Sequence, residues 1–142
     1  LTGGGRVEFL SWLRELLSEP AKEYTQFAAG LSFLAAVTPA EAAELLGRRV
    51  RLLEAEIGEM RARLDEVAAQ GLPRLFLVES EHELVLRDAE LSWVRGLVRE
   101  IEEGTLEGLA QWEAVHSERG MAGAGEVVVA DDDSRKSRKE NA

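Results

Sequence analysis

The chain has 142 residues, 45% of them hydrophobic, which is enough for one domain with a modest core and tails. Its 27 acidic residues against 17 lysines and arginines give a formal charge of -10, a balance that disfavours unspecific attraction to nucleic-acid phosphates. The absence of cysteine excludes disulfides, thiolate metal sites and cysteine nucleophiles, and no run of 18 apolar residues or basic-then-apolar leader occurs, so a cytoplasmic protein with no membrane partner is expected.

The sequence opens "LTGGGRVEFLSWL". Three glycines before a helix invite comparison with a phosphate cradle, but the Lys-Ser/Thr pair of a Walker loop and the preceding strand of a dinucleotide loop are missing, so a plain turn is predicted there. Because the first residue is Leu and not Met, the sequence reads as the downstream part of something longer. From Arg6 to Leu17, apolar Phe9, Leu10, Leu13, Leu16 and Leu17 recur every three or four residues, with Trp12 at the margin, which predicts an amphipathic helix stopped by Pro20.

A second helix is predicted from Tyr24 to Ala36, with Phe27, Leu31 and Leu34 on one line; it is nearly uncharged and therefore expected to be buried on most sides. Thr38-Pro39-Ala40-Glu41 combines a capping Thr, a Pro at the first helical position and a Glu at the third, so a helix begins at Pro39. Leu46, Val50, Leu53, Ile57, Met60, Leu64 and Val67 then alternate steps of four and three, a heptad seam. Glu44 with Arg48 and Glu59 with Arg63 are favourable i,i+4 pairs on its solvated side.

Gly71 suits a helix stop and Pro73 a helix start, so the chain should reverse there into an antiparallel helical hairpin. The returning helix, Pro73 to Glu103, carries one seam in Leu77, Leu84, Leu91 and Val98 with Val94 and Ile101, and a second stripe in Val85, Leu86, Ala89, Trp93 and Leu97. One partner helix cannot cover two stripes, so the second is expected to be the interface of a homodimer, giving a coiled-coil-like dimeric bundle. Gly104 and Gly108 loosen the chain before one more short helix over 105–119, and 120–142 is expected to be a disordered tail. The basic cluster Arg135, Lys136, Arg138 and Lys139 is read as part of that solvated tail and not as a nucleic-acid contact.

The candidate chemistry is sparse. Two Glu-x-x-His motifs, Glu79 to His82 and Glu113 to His116, have the spacing used in carboxylate-bridged di-metal bundles. His116 falls in the loosely patterned end, however, and His82 reads as a residue at the edge of the apolar stripe, so no metal site and no cofactor are expected. Ser11, Ser18, Ser32, Ser80 and Ser92 lie in no Gly-x-Ser-x-Gly elbow, and two histidines leave little from which to build a triad, so no catalytic residue is assigned and the chain is not read as an enzyme. Trp93 and Phe27 are the candidates for contact with a flat, apolar small-molecule ligand, such as an aromatic effector.

Several segments in order resemble the C-terminal portion of PadR-like transcriptional regulators. Leu1-Thr2-Gly3-Gly4-Gly5-Arg6 is similar to the end of that family's wing strand, and Trp12-Leu13 to the helix after it. Arg14 to Leu16, Glu19-Pro20, the stretch Phe27 to Leu46, and Leu72 to Val98 with its Glu90-Leu91-x-Trp93 segment continue the match, which covers Leu1 to Glu103. The resemblance implies that the glycines close a wing turn, that residues 1–20 are a linker helix, and that 21–104 form an all-α dimerisation and effector domain. The function implied is transcriptional regulation, usually repression, with the paired DNA-reading heads set at half-site spacing by this module. DNA would be met through the family's N-terminal winged helix-turn-helix, which lies outside these residues, so no DNA-contacting residue is carried over. The heptads alone fit a stand-alone coiled-coil interaction protein equally well, and a metal-binding helical bundle is the third reading.

Overall fold

The computed structural model describes residues 2–130, with side chains described to Met121. The described chain is all-helical: α1 (Gly3–Ser18), α2 (Gln26–Ser32), α3 (Pro39–Ala69), α4 (Val78–Glu103) and α5 (Leu109–Ala130), with 3₁₀ turns at Leu34–Ala36 and Arg74–Phe76. Among the described residues no helix is long and apolar enough to cross a membrane. Two compact units are present, Leu1–Leu34 and Ala35–Ala142.

In the first unit α1 starts at Gly3, so the glycines form its first turn and not a turn ahead of it. The reason is local: the Thr2 hydroxyl accepts from the Gly5 N–H at 3.2 Å and its carbonyl from the Arg6 N–H at 3.0 Å, which satisfies two donors of the first turn. Phe9 and Trp12 pack as a tilted pair with centroids 6.2 Å apart. α2 is shorter than its pattern and, against expectation, none of its residues is buried; Phe27 is half-buried and the following Phe33 is exposed. Lack of charge there reflects small residues, Ala28, Ala29 and Gly30, and not an enclosed position.

The second unit is built on α3 and α4. Thr38 caps α3 by accepting from the Glu41 N–H at 3.2 Å, with Pro39 in the first turn. Both long helices end on the same device. Gly71 (φ 85°) and Gly104 (φ 74°) take the left-handed conformation that side chains with a Cβ avoid. After each, the N–H of the next residue reaches back one residue further than in a regular helix, Leu72 to Val67 O at 3.3 Å and Thr105 to Glu100 O at 2.9 Å. α4 begins at Val78 and not at Pro73, because residues 74–76 wind more tightly and Arg74 binds the carboxylate of Glu81 through two hydrogen bonds of 3.0 and 2.7 Å. Those bonds hold the Glu81 carboxyl below its ordinary pKa and raise that of Arg74.

Leu53, Ile57 and Leu91 form a buried cluster with Val50 and Leu84 packed against it, and Leu46, Met60, Val94 and Ile101 extend the core along the seam. Ion pairs flank it on both sides: Arg61 with Asp88 and Glu54 with Arg95, then Glu56 with Arg87 and Arg49 with Glu90. In each set the number rises on α3 as it falls on α4, so the helices run in opposite directions. The expected pairs of Glu44 with Arg48 and Glu59 with Arg63 are not among the ion pairs of the described residues. α5 runs to Ala130, past residue 119 and through the first part of the stretch expected to lack structure. Once a first turn is nucleated each added residue gains a hydrogen bond, so the helix continues across Gly120. The remainder of that tail, with its basic cluster, lies outside the described residues.

Candidate functional site

At 3.6 residues per turn, Leu84, Leu91, Val94 and Ile101 face α3, whereas Leu86, Ala89, Trp93 and Leu97 centre about a third of a turn away around α4, with Val85 closer to the side opposite α3. Val85 is 60% exposed, Leu86 57% and Trp93 54%; Ala89 is also exposed and Leu97 half-buried. Four of the five stripe residues are therefore exposed to solvent, and the fifth is half-buried.

Arg87, Asp88, Glu90 and Arg95, which alternate with the stripe, are all drawn towards α3 by their ion pairs, so the charges left near the stripe come from other exposed residues such as Glu100. Gly96 adds a notch: with Ser92, Trp93, Leu97 and Glu100 it lines a shallow groove of about 300 Å³ beside the indole. A side chain at Gly96 would meet nothing within 4 Å, so the notch is set by the residue itself and not by a neighbour. Trp93 thus has a recess of mixed character next to it, with Leu97 and Gly96 on one side and Ser92 and Glu100 at its edge. Phe27, the other ligand candidate, belongs to the first unit.

Elsewhere, Met60, Leu64, Val67 and Leu77 form the apolar wall of a cleft of about 250 Å³ near the α3–α4 turn, with Arg63, Ser80 and Glu83 at its edge. The two Glu-x-x-His motifs lie on different helices, Glu79 and His82 on α4 and Glu113 and His116 on α5. His116 Nε2 is bonded to the Ala35 carbonyl at 2.9 Å and the Trp112 indole N–H donates to the Val37 carbonyl at 2.8 Å, so α5 ties down the segment that leads into α3. Sequence reading missed this tie. Its only signal is that Leu109, Trp112 and His116, spaced three and four apart, share one face of α5. Among the described residues no group of three His, Cys, Asp or Glu side chains converges. No family model, no curated protein and no solved structure matches this chain.

Proposed function

We propose that this chain is the dimerisation and effector-sensing part of a PadR-like DNA-binding transcriptional regulator, working as a homodimer in the cytoplasm. The observation that carries the reading is the second apolar stripe of α4, Val85, Leu86, Ala89, Trp93 and Leu97, of which Val85, Leu86 and Trp93 are more than half exposed. An exposed apolar face of that kind marks an interface, and a stripe with coiled-coil-like spacing suits a like helix of a second copy. The α3–α4 pair would then be an antiparallel hairpin that serves as the rigid arm of the dimer, with its ion pairs spent internally and its apolar outer face spent on the partner.

In this reading the dimer fixes the spacing of two winged-helix heads carried elsewhere in the protein, and DNA affinity comes from those heads and not from this acidic chain. A flat aromatic effector entering the recess beside Trp93 would bind one arrangement of the dimer better than another and so shift the spacing. The test is DNA binding by the product of the whole open reading frame, with Leu86→Glu as the variant. Salt-dependent binding to a palindromic site from the upstream region, weakened at least tenfold by Leu86→Glu, is the expected result. A product that shows no salt-dependent DNA affinity, or whose affinity ignores Leu86→Glu, overturns the reading.

A further inference from the structure

Away from the α4 outer face, Gly47, Val50 and Arg51 of α3 and Arg95, Val98, Arg99 and Glu102 of α4 line a groove of about 330 Å³. Three arginines from two helices line it, in a chain whose net charge is -10. Arg95 is engaged by Glu54. Arg51 and Arg99 form no ion pair or hydrogen bond with any described residue, although acidic residues outnumber basic ones along the chain.

The setting is unfavourable as it stands. Arg95 and Arg99 are like charges four residues apart on one helix, which repel. Arg51 reaches the same groove from α3, its guanidinium folded back so that Nη1 would lie 3.8 Å from a Cβ at Gly47. Glu102 lines the groove and Glu54, outside its lining, is bonded to Arg95, which leaves one positive charge in excess. Half-buried Val50 and Val98 give the floor an apolar character that lowers local screening. A bound oxyanion relieves the repulsion and supplies acceptors for the guanidinium forks of arginines that line one groove.

We propose that this groove is an anion-binding site for a phosphate-bearing small molecule, with Arg51 and Arg99 as its principal ligands and Arg95 as the third. Three guanidiniums offer more donors than the two oxygens of one carboxylate can accept, whereas a tetrahedral phosphate presents three or more oxygens in different directions. The site does not rest on the proposed dimer or on the regulator reading.

The experiment is calorimetric titration of the intact chain with inorganic pyrophosphate at constant ionic strength, with citrate as a charge-matched carboxylate. Pyrophosphate should bind, and Arg51→Gln and Arg99→Gln should each weaken it about tenfold, the loss expected for a charge-assisted fork. Arg61→Gln, whose partner is Asp88 outside the groove, should change it less than about twofold, with circular dichroism confirming that all variants fold. The proposal fails if pyrophosphate does not bind, if the Arg51 and Arg99 variants bind it as well as the parent, or if citrate binds at least as tightly.

Discussion

Replacing Ile57 by alanine tests whether α3 and α4 are held together by the seam assigned to them. Ile57 is 2% exposed and sits with Leu53 and Leu91 at the centre of the buried cluster. The change removes three carbons, worth about 2.4 kcal/mol at roughly 0.8 kcal/mol for each buried methylene. A cavity term adds to this, kept small because two helices packed side by side can partly close the gap, so the expected loss is about 3 to 4 kcal/mol. With an m-value near 2 kcal/mol/M, the urea midpoint should fall by about 1.5 to 2 M, read by far-UV circular dichroism at one fixed protein concentration so that self-association does not enter. Leu52→Ala, removing the same three carbons from a side chain 62% exposed, should cost less than about 1 kcal/mol. Equal losses for the two variants would refute the packing of α3 on α4 through this seam.

Three further outcomes follow from particular contacts. Arg49 and Glu90 form a half-buried pair at 3.0 Å, so Arg49→Ala should cost about 1 to 2 kcal/mol by leaving the Glu90 carboxylate under-solvated, and adding Glu90→Ala should recover part of that loss in a denaturation cycle. Gly104→Ala forces a side chain into a φ of 74° and should cost roughly 1 to 2 kcal/mol although nothing lies within 4 Å of the new carbon; a neutral result would mean that α4 does not end there. Because Arg74 lowers the pKa of Glu81, the pair stabilises the turn above the ordinary glutamate pKa, and the contribution is lost as pH falls through the lowered value. NMR titration of the Glu81 carboxyl should show a midpoint below the model-peptide value of about 4.3, returning to it in Arg74→Gln.

Much of the second unit was legible because its signals are local. Thr38-Pro39 with Glu41 fixes the start of α3, Gly71 and Gly104 fix two helix ends, and the three-and-four spacing of Leu46, Leu53, Ile57 and Met60 gives the buried face. What the sequence hid depends on competition or on distance. Pro73 is a fair helix start, but the Arg74–Glu81 hydrogen bonds and the tight turn between them hold α4 back to Val78. The i,i+4 pairs predicted on α3 do not form, and it is other residues of that helix, Arg49, Glu54, Glu56 and Arg61, that pair with α4, which only the register of the two helices reveals. The outer stripe of α4 could be read from one helix alone, whereas the arginine groove joins Arg51 to Arg95 and Arg99 across more than forty residues and emerges only from the register of α3 on α4.

Sedimentation velocity over a concentration series measures most directly whether a second copy of the chain occupies the outer face of α4. At about 10 μM and above the chain should sediment as a dimer, while Leu86→Glu and Trp93→Glu, at positions more than half exposed in the single chain, should sediment as folded monomers. A parent chain that stays monomeric up to about 100 μM, or glutamate variants that remain dimeric, would contradict the assignment of this face to a second copy.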